Sequence, residues 1–166
     1  ISYETLVFLE MLLVFGGLAA PRQLADAHVW EFQFDTQQWV QVEALGTPPA
    51  ARFGHAAAVL HNRMYVFGGY TRRFEVDVPL NDLHVFDMAT RTWSEVAPKA
   101  SRPPAARAAH ALVAHRDTLL VVAGEDGDSL LSDVHQFRLT TASWSEIAAA
   151  APPAPRARAQ HIAAML

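Results

Sequence analysis

The sequence predicts an all-β repeat protein, and three observations carry that prediction. An apolar run ending in small residues occurs three times, at Met11–Gly17, Met64–Gly69 and Thr118–Gly124. A tryptophan follows each run, at Trp39, Trp93 and Trp144, with intervals of 54 and 51 residues. No segment sustains the apolar periodicity and capping residues of a helix.

Further features keep the same order in each copy. Phe32, Phe86 and Phe137 stand seven residues before the tryptophans. Double prolines follow at Pro48-Pro49, Pro103-Pro104 and Pro152-Pro153. An Arg-x-x-His then opens the next apolar run, at Arg52/His55, Arg107/His110 and Arg158/His161. Ordered recurrence at this period marks a repeat architecture.

Each copy reads as four short strands, and the second copy shows them most clearly. His55–Leu60 is a compact apolar run suited to a buried strand. Met64–Phe67 is aromatic and β-branched, and Gly68-Gly69 ends it, permitting a left-handed backbone and close approach of a neighbour. Asp82–Met88 alternates Leu83 and Val85 with His84 and Phe86, the two-residue period of a strand. Thr92–Val96 is the fourth strand and bears Trp93.

The Gly16-Gly17 and Gly68-Gly69 pairs, the phenylalanine ahead of each tryptophan and the period resemble the Kelch repeat. That resemblance implies a Kelch-type β-propeller with one four-stranded blade per copy. Blades then occupy residues 1–49, 50–104 and 105–157, and 158–166 form the inner strand of a next blade. It further implies that Trp39, Trp93 and Trp144 pack between blades. Some features depart from the pattern. Ala123 precedes Gly124 where the other copies have Gly-Gly, a change alanine tolerates if the site needs no left-handed backbone. The residues before Met11 lack Arg-x-x-His. Asp26 stands four residues before Trp30, whereas Asp82 and Asp133 stand two before His84 and His135. Two extra residues in the third link make Arg156 a competitor of Arg158.

Antiparallel strands within a blade place the connections between second and third strands on one face with the links between blades. That face collects Leu18–Ala25, Tyr70–Asn81 and Glu125–Ser132, and loops on a rigid scaffold are where binding concentrates. Propellers have about four to eight blades. The expectation is therefore half of a six- or seven-bladed ring, completed by more chain or by a second copy.

Composition narrows the function. A hydrophobic fraction of 51% and a charged fraction of 18% describe a packed domain. A net charge of −4 argues against sequence-independent nucleic-acid binding. Cysteine is absent, which removes disulfides, thiolate metal sites and cysteine nucleophiles, and favours an intracellular, cytoplasmic setting. Leu6–Ala20 is apolar, but Glu10 and Gly16-Gly17 interrupt it and no basic residue precedes it, so it reads as neither signal peptide nor membrane span.

Eight histidines raise the question of a metal. Seven recur at equivalent positions: His55, His110 and His161, His84 and His135, His61 and His115, so a structural role is expected. The His-Glu-x-x-His zinc pattern is absent, as is the Glu-x-x-x-Asp-x-x-x-His iron pattern of Kelch-type specifier proteins. Glu125-Asp126-Gly127-Asp128 lacks the spacing of a calcium loop and reads as a solvated turn. No catalytic residue, metal or cofactor is assigned.

The arginines are the better candidates. Arg52, Arg107 and Arg158 each precede an inner strand and are expected to ring the mouth of the central channel. There, guanidinium forks bind carboxylates bidentately. The resemblance to Kelch ubiquitin-ligase adaptors points the same way, with Arg52 the best match; alternatively the arginines bond backbone carbonyls and knit adjacent blades. Tyr70, Arg72 and Arg73 in the long second-blade loop are further candidates. The expected function is a non-catalytic protein-interaction scaffold or adaptor, extending to an acidic peptide segment. The alternatives are a Kelch-type enzyme, mutarotase or oxidase-like, with a site on the channel axis, and a structural component of a large assembly.

Overall fold

The computed structural model describes residues 11–20, 23–99, 101–148 and 155–164. Its described elements are all strands. Blade one contains β1 (Leu12–Phe15), the small hairpin β2 (Leu18–Ala20) and β3 (Gln23–Leu24), then β4 (Val29–Gln33) and β5 (Gln38–Val42). The order β1-β4-β5 makes an antiparallel sheet. The innermost strand expected before Met11 falls outside the described residues.

After β6 (Leu45–Gly46) in the link, blade two runs β7 (Ala56–Leu60), β8 (Arg63–Phe67), β9 (Tyr70–Arg73), β10 (Val76–Pro79), β11 (Leu83–Asp87) and β12 (Thr92–Glu95). Its sheet has the order β7-β8-β11-β12, and β6 adds in parallel outside β12. The first link thus becomes a fifth strand of the next blade. Gly46 permits this, because a Cβ there would run into the Trp93 carbonyl. The connection Tyr70–Asn81 contains a hairpin, β9 paired with β10, that loop-like composition did not reveal.

Blade three is β13 (Ala111–His115), β14 (Thr118–Glu125), β15 (Leu130–Arg138) and β16 (Ser143–Glu146), in sequential antiparallel order. Strands β14 and β15 extend past Gly124 through a bulge between Val122 and Gly124, shortening the expected loop to a turn. Within that bulge Ala123 has φ of +55°. The position does demand a left-handed backbone, and alanine occupies it at the cost of strain. Residues 155–164, which include most of the inner strand expected at 158–166, pair into no strand; backbone bonds from Gly124 to Arg158, from Arg158 to Leu131 and from Gln160 to Ala109 hold them against blade three and its link.

The core lies between blades. Strand β8 explains the pattern: Met64 and Val66 pack toward blade one with Phe15, Val29 and Trp93, while Tyr65 and Phe67 pack toward blade three with Leu119 and Trp144. A strand buried on both faces has no reason to alternate, so it reads as an unbroken apolar run. The tryptophans close each junction. Trp93 lies against Phe15 of blade one and Trp144 against Phe67 of blade two, both with ring centroids 5.1 Å apart. Each also tilts against the phenylalanine of its own copy, Phe86 or Phe137. Trp39 differs: it contacts Phe32 but is 48% exposed.

Candidate functional site

The links and the connections between second and third strands do share one face, joined by backbone bonds. Phe53 and Tyr70 exchange bonds of 3.0 and 2.8 Å, and Ala108 and Glu125 exchange two of 2.9 Å. The second glycine of each repeat donates to the carbonyl of the next link's arginine: Gly17 to Arg52, Gly69 to Arg107 and Gly124 to Arg158, each at 2.8 Å. The adjoining glycine makes room for that contact. A Cβ on Gly16 or Gly68 would stand 2.6 Å from the Arg52 or Arg107 carbonyl oxygen.

Two of the three candidate arginines are placed differently from the expected ring of surface forks. Arg52 and Arg107 have no exposed surface. The Arg52 guanidinium donates to both Asp82 oxygens at 2.7 and 2.8 Å, to the Gly68 carbonyl at 3.0 Å and to the Ala50 carbonyl at 3.0 Å. Arg107 repeats the set on Asp133 at 2.6 and 2.8 Å, and on the Ala123 and Ala105 carbonyls at 3.1 Å. A buried guanidinium must find acceptors for its donors. The link and the blade's second and third strands supply them, leaving no fork to offer a partner's carboxylate.

His84 and His135 complete each cluster, with Nε2 at 2.9 and 2.8 Å from the aspartates. Burial alone would raise the Asp82 carboxyl, but hydrogen bonds from Arg52 and His84 hold it far below the carboxylate range. Arg107 chiefly, with His135, holds Asp133 at about 2 against the opposing effect of burial. Asp82 and Asp133 were visible in the sequence as repeated residues. The signal that pairs them with the arginines was their recurrence behind each arginine in both complete links.

Arg158 keeps the local geometry without the partner. Its Nε donates to the Arg156 carbonyl at 2.9 Å, as Arg52 does to Ala50, so Arg158 and not Arg156 holds the equivalent position. Its side chain is exposed.

His55, His110 and His161 converge on one cavity of about 270 Å³, lined also by Phe53, Tyr70, Glu125 and Gln160. Burial, reinforced by the adjacent arginine, pushes His55 down to about 4 and His110 to about 3. They are therefore neutral near pH 7. His55 and His110 meet Phe15 and Phe67 of the preceding blade edge-on, with ring centroids 5.6 and 5.4 Å apart. Among the described residues no group of three or more His, Cys, Asp and Glu is placed to hold a metal ion.

The remaining candidates belong to the β9–β10 hairpin. Tyr70 stacks near Phe53 at 5.5 Å and Thr71 Oγ1 donates to the Ala51 carbonyl at 3.0 Å, rooting the hairpin on the link. Arg72 pairs across it with Asp77 at 2.8 Å, while Arg73 is exposed. The tip is Phe74-Glu75, with φ of +48° and +65°, and Phe74 is 99% exposed. Nothing in the sequence singles out Phe74, because a lone phenylalanine between Arg73 and Glu75 has no period to set its orientation. On the adjacent blade, Glu125, Asp126 and Asp128 make an acidic flank that, after partial burial, adds to the upward shift of the Tyr70 phenol.

Repeated four-stranded blades, packed face to face through tryptophans and bolted by Arg–Asp pairs, define a β-propeller of repeat type. The chain belongs to the Kelch-repeat family, matching the KLHDC2/KLHL20/DRC7 Kelch-repeats domain over residues 3–166. It is 36% identical over 141 residues to acyl-CoA-binding domain-containing protein 4 of Arabidopsis thaliana, covering 84% of this chain and 20% of that protein. It is 30% identical over 150 residues to the leucine-zipper-like transcriptional regulator 1 homolog of Drosophila melanogaster, covering 88% and 15%. Human Kelch domain-containing protein 10 is 29% identical over 147 residues, covering 85% and 32%. The chain thus spans a third or less of these relatives. Kelch domains typically bind protein partners. No helix among the described residues is long and apolar enough to cross a membrane.

Proposed function

We propose that this chain is a non-catalytic interaction scaffold whose contact surface is the loop-rich face, with the β9–β10 hairpin as its main contact. The observation that carries the reading is Phe74, almost wholly exposed at the tip of a hairpin rooted by Tyr70, Thr71 and the Arg72–Asp77 pair. Burying a phenylalanine is worth about 1.5–3 kcal/mol. A pre-ordered hairpin loses little entropy when it docks.

Arg73 beside Phe74 suits a carboxylate on the partner, whereas Glu125, Asp126 and Asp128 repel one. An acidic segment would therefore approach Arg73, beside the Arg72–Asp77 pair, and avoid the blade-three turn. The lack of cysteine supports an intracellular, cytoplasmic setting. The test is affinity capture with quantitative mass spectrometry, comparing the wild type with Phe74→Ala and Arg73→Glu. Both variants should melt like the wild type and lose a common set of bound proteins. If Phe74→Ala retains every protein that the wild type captures, the hairpin is not the contact.

A further inference from the structure

The cavity that gathers His55, His110 and His161 is built by three links as one arc. The Ala109 N–H donates to the Gly54 carbonyl at 2.7 Å, and the Gln160 N–H to the Ala109 carbonyl at 2.8 Å. Equivalent bridges set Phe53 opposite Tyr70 and Ala108 opposite Glu125. One bridge thus carries two rings, tilted by 33° with centroids 5.5 Å apart, and the next carries an alanine and a carboxylate. The small side chains of Ala108 and Ala109 beside Phe53 leave a hollow of about 270 Å³. Small-molecule pockets take roughly 300–1,000 Å³, so this one suits a single side chain.

Its chemistry favours a cation. Glu125 lines the hollow, and Asp126 and Asp128 stand on the adjoining turn. Asp126 is engaged by the N–H groups of Asp128 and Ser129 at 3.0 and 2.8 Å. Among the described residues neither Glu125 nor Asp128 forms an ion pair. The positive charges nearby, Arg52 and Arg107, are matched by Asp82 and Asp133. His110 is only 5% exposed, and neither of its ring nitrogens has a hydrogen-bond partner, nor has either nitrogen of His161. Buried polar atoms ordinarily have partners. A neutral imidazole presents one acceptor nitrogen, and burial keeps His110 neutral.

We propose that this cavity is a docking pocket for an arginine side chain of a protein partner, stacked on Phe53 and Tyr70 and paired with Glu125. A guanidinium meets aromatic faces and a carboxylate together, which the compact ammonium of lysine does less well. Resting on the loop-rich face as the contact surface, the pocket gives the partner a basic residue at the root of the hairpin and an acidic one near Arg73.

A capped Gly-Arg-Gly peptide titrated into the nitrogen-15-labelled chain tests the pocket. Amide signals of Gly54, Tyr70, Ala109 and Glu125 should shift saturably. The matching lysine peptide should bind about fivefold more weakly, and the glutamate peptide should leave the signals in place. Glu125→Gln should melt like the wild type and weaken the arginine peptide by about fivefold. Asp128→Asn, on the flank, should weaken it by less than about twofold. The titration needs no partner and no hairpin tip, so its failure is separate from a failure of Phe74-dependent capture. The pocket is overturned by an absence of saturable shifts, by equal affinity in Glu125→Gln, or by equal binding of the glutamate peptide. An equal loss in Asp128→Asn overturns it as well, because the peptide then lies on the exposed turn.

Discussion

Arg52 and Asp82 meet through two near-parallel hydrogen bonds of 2.7 and 2.8 Å, joining the link before the inner strand to the start of the third strand. Because the Arg52 carbonyl also accepts from Gly17 of blade one, a single residue fixes the sheet internally and against its neighbour. Removing the aspartate would leave a fully buried guanidinium without its carboxylate. Asp82→Ala is therefore expected to cost about 3–5 kcal/mol, and Asp133→Ala a similar amount. Urea denaturation measures both. A loss below about 1 kcal/mol would show that water or the backbone satisfies the fork instead.

Stability should fall with acid earlier than the carboxylates alone allow. His55 and His110 are held at about 4 and about 3, below the value of about 6.5 in an unfolded chain. The unfolded chain binds more protons in that window, so folding is fully supported above about pH 6.5 and weakens as pH falls toward 4 and then 3. Asp133, depressed to about 2, adds its loss only below about pH 3.8. Urea midpoints measured from pH 7.5 downward should already decline by about pH 5.5, and His110→Gln should reduce that slope. A midpoint constant down to about pH 4.5 contradicts the assignment.

The repeat was legible because its tryptophans, glycines and link arginines hold fixed positions relative to strands that cannot shift. What those arginines do was not legible from charge alone. A guanidinium that recognises carboxylates bidentately serves equally well on an internal aspartate, and only burial tells the two roles apart. The hairpin β9–β10 was hidden for a different reason. Its left-handed tip is built from Phe74 and Glu75 and not from the glycine or asparagine that usually signals such a turn. The conformation at Ala123 was left open on the same ground, since a tolerated alanine and a strained one look alike in a sequence.

That strain can be relieved. Ala123 holds φ of +55°, where a side chain costs about 1–2 kcal/mol and glycine pays only its extra freedom when unfolded. Ala123→Gly should stabilise the protein by about 0.5–1 kcal/mol. The reverse change at the equivalent position, Gly68→Ala, places a Cβ 2.6 Å from the Arg107 carbonyl oxygen and should destabilise. Melting temperatures moving in the same direction for both variants would mean that the two positions are not structural equivalents.

The three repeat tryptophans should differ in what their loss costs, although their motif is the same. Trp93 is 2% exposed and lies between Phe15 and Phe86, so Trp93→Ala removes contacts on both sides of a blade junction. The expected loss is about 3–5 kcal/mol. Trp144, 6% exposed between Phe67 and Phe137, should behave alike. Trp39 retains Phe32 on one side but leaves 48% of its surface in water, so Trp39→Ala should cost about 1 kcal/mol. Chemical denaturation of the three variants orders them directly. Equal losses at Trp39 and Trp93 would mean that a further surface covers Trp39 in solution, and a protomer mass that rises with concentration would identify that surface as a second copy of the chain.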